Sequence, residues 1–144
     1  MRLIILTHFC ATWALVGLIW TLQVVNLPLF AKVGENAFSS YEANHSLLLP
    51  QVMGTLMFIE LVTGIVLVVF PPGWLPSWVF MLGLGLLALI WGWGLLVQAP
   101  LQRRLARRFD PQALSLLVYT NWLRTLAWSA RGLLLAWAML RYAL

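Results

Sequence analysis

Three charged residues lie within long apolar stretches of the chain, where charged side chains are rare. They are Glu60, Arg124 and Arg131. A charge at the centre of a bilayer costs roughly 2.5–3.5 kcal/mol on insertion scales, so such groups usually face the interior of a helix bundle. Both arginines share one helical face with Asn121 and Trp128, because spacings of three and four residues alternate along these positions. This polar face predicts either a ligand site or a structural clamp.

Two interpretations of this polar set remain open. In the structural one, Glu60 pairs with one arginine. The other arginine is then satisfied by a backbone carbonyl or by an amide side chain: Asn121, Gln23 or Asn26. In the functional one, the surplus positive charge attracts an anionic or oxygen-rich ligand, since a guanidinium can hold a phenolate, a quinone oxygen or a carboxylate.

The functional interpretation assigns a role to each member of the set. Arg124 and Glu60 are the candidate catalytic residues: Arg124 would stabilise an oxyanion in a dry pocket, and Glu60 would accept a proton. Asn121, Trp128 and Arg131 are candidate ligand-binding residues that form one wall of the pocket.

The most polar stretch, residues 31–46, supplies a second set of candidates. If residues 37–45 are helical, Tyr41, Glu42 and His45 share a face, and Glu42 and His45 have the Glu-x-x-His spacing of carboxylate-bridged iron proteins. Three interpretations stay open: an interfacial helix in contact with headgroup water, a pair of metal ligands, and the mouth of a substrate pocket. A di-iron centre needs a second such motif and further carboxylates, so we predict no metal site and treat the three residues as ligand-binding candidates.

The remaining reactive side chains narrow the chemistry. Cys10 is the only cysteine, which excludes dithiol redox chemistry of the CxxC type. His8 is expected at the outer interface of the first span, too far from His45 for both to ligate one haem. The sequence identifies no cofactor.

Four apolar stretches predict the fold class. The chain of 144 residues is 62% hydrophobic and 9% charged, with a mean hydropathy of +0.91. Each stretch exceeds the roughly 18 residues that indicate a transmembrane helix, and only helices satisfy the backbone within a single segment in lipid. We therefore predict an all-α, integral membrane four-helix bundle: one transmembrane domain, residues 1–144, with a short amphipathic segment between helices 1 and 2.

The predicted spans cover residues 3–27, 47–70, 77–98 and 114–141. Pro28, Pro71-Pro72 and Pro100 are expected to end the first three, and Asp110-Pro111 to cap and open the fourth. The first apolar run continues past Trp20 without a small-x-small site, so it is expected to be retained as a span.

The basic segment 101–110 sets the expected orientation. It carries four arginines between helices 3 and 4, and the positive-inside rule places it in the cytoplasm, with both termini outside. Arg2 and Arg141 argue the other way. The expected location is the bacterial plasma (inner) membrane, as a multi-pass protein, and the net charge of +5 indicates contact with lipid headgroups rather than with nucleic acid.

The chain resembles the small four-helix membrane proteins of the anthrone-oxygenase-like family in its second half. That family has a Pro-Leu-Asn element after helix 3 and a Trp-x-x-Asn-x-x-Arg-Thr element in helix 4. The matching residues are Pro100, Leu101, Asn121, Arg124 and Thr125. Gln102 replaces the asparagine, and Leu117 or Val118 stands where the tryptophan would be.

A related uncharacterised bacterial group of membrane proteins is similar in the first half. Its elements have the form Gln-x-x-x-Tyr-Pro-Leu-Phe, Phe-x-x-Tyr-His-x-x-His and Pro-x-Met-x-x-Glu. The matching residues are Gln23, Pro28, Leu29, Phe30, Phe38, Tyr41, His45 and Glu60. Leu27 replaces the tyrosine and Glu42 the first histidine. What is known of the better-characterised proteins that the chain resembles implies oxidation of aromatic polyketides by oxygen, without an evident metal or flavin motif.

Two functional hypotheses follow. The first is a pocket in the membrane that binds or oxidises a hydrophobic aromatic or quinone-like molecule. The second is a non-catalytic subunit or assembly factor of a larger membrane complex, in which the polar set locks helices or docks a membrane protein partner. The expected partners are the lipid bilayer and either a hydrophobic small molecule or such a protein, and whether the chain is an enzyme stays open.

Overall fold

The computed structural model describes residues 1–142 and consists of four long helices. Helix α1 spans Arg2–Phe30, α2 spans Glu35–Val69, α3 spans Ser77–Arg107 and α4 spans Pro111–Tyr142. Within residues 1–142 there is no β-strand, which confirms the all-α prediction and the number of helices.

The helices form a bundle in which α1 and α3 each pack against both α2 and α4. The connections, residues 31–34, 70–76 and 108–110, are short, so consecutive helices run antiparallel. Lys32 and the arginines of segment 103–108 lie together at one end, which we call the basic end. Phe30, Phe38 and Leu105 build a hydrophobic core near it, and a second core around Ile5 and Leu67 lies toward the opposite end.

Three of the helices, α1 to α3, are long and apolar enough to cross a membrane. Helix α4 has 32 residues and a length of about 48 Å at roughly 1.5 Å per residue. It is long enough to cross but does not meet the same hydropathy criterion, because Asn121, Arg124 and Arg131 lower its mean hydropathy.

Two π-helical turns are the main irregularities of the bundle. They cover Leu22–Asn26 in α1 and Gly94–Gln98 in α3, and in each helix one residue separates the turn from a proline, Pro28 or Pro100. A proline within a helix donates no N–H and its ring clashes with the carbonyl four residues earlier. In both helices that carbonyl belongs to the π-helical turn, where the widened backbone relieves the clash.

The predicted ends of two spans were therefore wrong. Helix α1 continues through Pro28 to Phe30, and α3 continues through Pro100 to Arg107, so the basic segment is mostly helical rather than a loop. The polar segment around residues 37–45 is helical, but it is the first part of α2, which runs through Pro50 without a break, and not a separate element. The predicted start of α4 is confirmed: Asp110 Oδ1 accepts the backbone N–H groups of Gln112 and Ala113 at 3.0 and 3.1 Å.

Candidate functional site

The predicted polar face of α4 faces the interior of the bundle. Asn121, Arg124, Trp128 and Arg131 are all buried. They belong to two groups of polar contacts, which meet at Trp128: its indole N–H contacts Glu60, and its ring faces Arg124. The two groups differ in whether their charge is neutralised.

The closed cluster consists of Thr12, Glu60, Trp128 and Arg131 and connects the helices. Arg131 Nη2 lies 3.0 Å from Glu60 Oε1, and Arg131 Nη1 donates to the backbone carbonyl of Gly83 at 2.8 Å. The Thr12 hydroxyl donates to Glu60 Oε1 at 2.7 Å, and the Trp128 indole donates to Oε2 at 3.3 Å. Glu60 is 0% exposed and its charge is paired, so this cluster is a neutral clamp. It joins side chains of α1, α2 and α4 to the Gly83 carbonyl of α3.

His8 lies beside the closed cluster. Its side chain is buried, and Nδ1 is 2.8 Å from Thr63 Oγ1 on α2. Gly64 permits this close packing, since a Cβ there would lie 3.3 Å from His8 Cε1. The inward face of α1 therefore carries His8 into the bundle, and its expected depth at the membrane interface stays a prediction.

The open cluster consists of Gln23, Asn121, Arg124 and Thr125. The Gln23 amide donates to the carbonyl of Val118 at 3.1 Å, and the Asn121 amide donates to Gln23 Oε1 at 2.8 Å. Asn121 Oδ1 then accepts from Arg124 Nη1 at 3.4 Å. This chain of amides orients Asn121 so that its oxygen, and not its nitrogen, faces the guanidinium.

Arg124 has no carboxylate partner among residues 1–142. Neither of the two ion pairs in that part of the chain includes it, and its Nε atom is buried without a hydrogen-bond acceptor. The guanidinium carbon lies 5.3 Å from the centre of the Trp128 ring, a cation–π contact that partly offsets the lack of an anion. The buried guanidinium of Arg124 therefore has an N–H group, at Nε, that donates to no acceptor in the described part of the chain.

A cavity of about 290 Å³ lies against Arg124. Helices α2 and α3 supply most of its walls, including Met53 and Ile90. Its polar lining groups are Trp91, Gln98, Gln102, Asn121 and Arg124, and the indole N–H of Trp91 is buried without an acceptor. Two clefts of about 430 and 580 Å³ elsewhere on the described chain contain no buried charge. The Arg124 cavity therefore combines a mostly apolar wall with two unused donors, which is the usual composition of a small-molecule site.

Tyr41, Glu42 and His45 lie on α2 nearer the basic end than the cavity. Glu42 is fully buried and accepts a hydrogen bond from Ser46 Oγ at 2.9 Å, while His45 packs edge-on against Phe30 with ring centres 4.8 Å apart. None of the three predicted ligand-binding residues lines the Arg124 cavity, whose wall on α2 begins at Leu49. The structure does not bring them together with Arg124.

The structure also separates Glu60 from the cavity. Glu60 is absent from the lining residues, and its two oxygens are engaged by the closed cluster. Trp91 and Gln98 were not among the predicted site residues. Gln98 could have been suspected, because it is a polar residue at the end of an apolar run. It belongs to the π-helical turn and is buried.

Residues 1–142 contain no cluster of three or more histidine, cysteine or acidic side chains that could hold a metal ion. Comparisons of the chain with protein-family models, with curated proteins and with solved structures gave no match.

Proposed function

We propose that the chain is a four-span integral membrane protein that binds a hydrophobic aromatic or quinone-like molecule in the Arg124 cavity. The distribution of side chains supports the membrane location. Large apolar residues are exposed on the outside of every helix: Leu3 and Leu6 on α1, Leu48 and Phe58 on α2, Leu95 and Leu96 on α3, and Leu126 and Leu133 on α4. Charged and amide side chains are buried inside, the reverse of the pattern in water-soluble bundles.

The basic end supports the orientation expected for a bacterial plasma membrane. It carries five cations, Lys32, Arg103, Arg104, Arg107 and Arg108. The opposite end carries Arg2 and Arg141. Under the positive-inside rule the basic end is cytoplasmic, and both termini are outside.

The observation that carries the proposed function is the unpaired guanidinium of Arg124 against the cavity. An unpaired charge in a low-dielectric interior is costly, and a ligand oxygen that accepts from it removes that cost. A phenolate, quinone oxygen or carboxylate would accept from Arg124 and from the Trp91 indole, while Met53 and Ile90 contact the apolar body of the ligand.

Binding is the part of the function that the geometry supports. Oxidation of the bound molecule, which the family resemblance implies, would use Glu60 as the proton acceptor, but that carboxylate is turned toward Arg131 and Thr12. Asn121 and Gln23 act by positioning Arg124, not by contact with reacting atoms.

The proposed function is tested with the protein in lipid nanodiscs and two probes, anthracene-9-carboxylate and 9,10-anthraquinone. Quenching of tryptophan fluorescence measures binding. We expect saturable binding of at least one probe and a loss of tenfold or more in affinity in Met53→Trp, which fills the cavity. The matched control is Val62→Trp, because Val62 is exposed on α2 and does not line the cavity.

Arg124→Leu separates this function from that of a subunit or assembly factor. If Arg124 anchors a ligand, the variant loses probe binding and keeps the thermal unfolding temperature of the wild type. Unfolding or dissociation of the variant from a co-purifying protein would instead favour the structural role. Absence of probe binding to the wild type would contradict the proposed ligand class.

A further inference from the structure

A gap between α2 and α3 opens the Arg124 cavity toward the outside of the bundle. Helix α2 packs closely against α3 in two places, along Ser77–Trp93 and again along Ala99–Arg107. Between them, the π-helical turn Gly94–Gln98 packs on α4 instead of on α2. The cavity lies at this interruption, with lining residues from both helices.

The rim of the gap consists of small or exposed residues. Pro50 on α2 and Leu95 on α3 line the cavity and are both exposed, so they stand at its mouth. Gly54 and Gly94 line it further in, and a Cβ at Gly94 would lie 4.0 Å from Arg124 Nε. The unused nitrogen of Arg124 thus faces the backbone of α3 at the inner side of the gap.

Apolar residues surround the mouth on both helices. Leu48 and Val52 on α2 are 61% and 58% exposed, and Leu96 on α3 is 79% exposed. In a four-span bundle these side chains contact lipid, so the gap opens into the bilayer and not into water.

A polar track leads along α3 from the basic end to Arg124. Gln102 and Gln98 are four residues apart, share a helical face and both line the cavity. Gln102 is five residues from the end of α3 at Arg107, or about 8 Å at roughly 1.5 Å per residue. Arg124 is 13 residues from the start of α4 at Pro111, or about 20 Å by the same rise. The cavity therefore runs from near the interface to the middle of the bundle.

The charges inside the bundle indicate what the ligand must supply. Glu60 and Arg131 neutralise each other, and no carboxylate within residues 1–142 lies within 4.0 Å of the Arg124 nitrogens. Glu42 is buried in a different part of α2, away from the cavity wall. One negative charge on the ligand would balance Arg124, whereas a dianion would leave a net charge in the bilayer.

We infer that the ligand is an organic monoanion, a carboxylate or phenolate on an apolar body, that enters head-first from the bilayer through the gap between α2 and α3. The head moves along Gln102 and Gln98 to Arg124, and the apolar body remains between the two helices, in contact with lipid. This inference rests on the proposed function and adds the charge of the ligand and its route.

The charge is tested with two probes that share one apolar body, anthracene-9-carboxylate and anthracene-9-methanol, added to wild-type protein in nanodiscs. We expect the carboxylate to bind at least tenfold more tightly than the alcohol, and Arg124→Gln to abolish that difference. Equal affinities in the wild type would overturn the inference about charge and leave the proposed function intact. If neither of these probes binds the wild type but 9,10-anthraquinone does, the inference about charge is overturned and the proposed function stands. If none of the three binds, the proposed function itself fails.

The route is tested by the rate at which the bilayer-dissolved carboxylate binds. Leu95→Trp narrows the mouth, and Leu82→Trp places the same side chain at an exposed position of α3 that is far from the mouth and does not line the cavity. We expect the association rate to fall tenfold or more in the first variant and to stay within twofold of wild type in the second. Gly54→Leu narrows the gap from the side of α2, and we expect it to slow association similarly. It replaces Leu95→Trp in the experiment if that variant does not fold. Unchanged rates in the folded variants would overturn the lateral route.

Discussion

Arg124 and Arg131 lie about two turns apart on the same face of α4 and differ in what surrounds them. Arg131 is paired with Glu60 and donates to the carbonyl of Gly83. Arg124 contacts an amide oxygen and an aromatic ring, but no carboxylate of residues 1–142. The same residue type therefore contributes to folding at position 131, whereas at position 124 we propose that it contributes to ligand binding.

This difference predicts opposite effects of neutral substitutions on stability. Glu60→Gln leaves the Arg131 charge unpaired in the interior, and loss of one partner of a buried pair destabilises by about 3–5 kcal/mol. Arg124→Gln removes a charge that no carboxylate in the described part of the chain neutralises, so we expect it to leave the free energy of unfolding unchanged or to increase it. Thermal and denaturant unfolding in detergent measures both. Equal destabilisation by the two variants would show that Arg124 also has a structural role.

The double variant Glu60→Gln with Arg131→Met is the control for that experiment. Removing both charges leaves no unpaired ion, so we expect it to recover most of the stability that Glu60→Gln alone loses. A double variant as unstable as Glu60→Gln would mean that the hydrogen bonds from Thr12 and Trp128, and not the charge pair, hold the clamp together.

Helical periodicity explains why the polar face of α4 could be predicted from the sequence alone. The spacing of Asn121, Arg124, Trp128 and Arg131 is a local property that any straight helix converts into one face. The choice of Arg131 as the partner of Glu60 was not predictable, because it depends on the relative heights of α2 and α4. The inward position of Gln98 depends on a π-helical turn, which no periodic pattern indicates.

At the level of the helices, close packing between α1 and α4 depends on Gly132. A Cβ at this position would lie 3.2 Å from Val16 Cγ2 and 3.4 Å from the Trp13 ring. Gly17 is exposed on α1 with no atom within 4 Å of its would-be Cβ. The two glycines therefore form a matched pair for testing this helix contact.

We expect Gly132→Val to destabilise the bundle by about 1–3 kcal/mol, because overpacking shifts backbone and side chains from their preferred positions. Gly17→Val should change the free energy of unfolding by less than about 0.5 kcal/mol, as is usual for surface substitutions. Denaturant unfolding in detergent compares the two variants. If Gly17→Val were the more harmful, the packing of α1 against α4 would differ from the one described.

The start of α4 predicts a pH dependence of stability. The backbone N–H of Ala113, and to a smaller extent the charge of Arg104, lower the pKa of Asp110 below its ordinary value of 3.8. At pH values between the folded pKa and 3.8, the Asp110 carboxylate is therefore protonated more in the unfolded chain than in the folded one. The stabilisation is therefore complete above that pH and is lost as the pH falls through the folded pKa.

Asp110→Asn separates titration from capping. The amide oxygen of asparagine still accepts the N–H groups of Gln112 and Ala113, but it carries no charge for Arg104 and does not titrate in this range. We expect the unfolding temperature of the wild type to fall more steeply than that of Asp110→Asn between pH 4 and pH 2.5. Parallel curves would contradict a contribution from the Asp110 carboxylate.

At the scale of the whole molecule, charge is distributed unevenly between the two ends and polarity is inverted between surface and interior. Five of the cations lie at the basic end, and the outer surface between the ends is covered by apolar residues. These two features were predictable from the sequence, since composition and loop charge do not depend on helix packing. The gap between α2 and α3 could not be predicted from the sequence, because it arises where the π-helical turn of α3 packs on α4 rather than closely on α2.

The proposed orientation can be tested with two exposed glycines at opposite ends of the bundle. Gly34 lies at the basic end and Gly73 in the connection between α2 and α3, and neither has an atom within 4 Å of a would-be Cβ. In a Cys10→Ser background, Gly73→Cys should react with a membrane-impermeant maleimide in intact spheroplasts. Gly34→Cys should react only after the membrane is opened, because the positive-inside rule holds the basic end in the cytoplasm. The opposite pattern would mean that Arg2 and Arg141 set the orientation. Labelling of both sites in intact spheroplasts would place residues 34 and 73 on the same side of the membrane and would contradict a single crossing by α2.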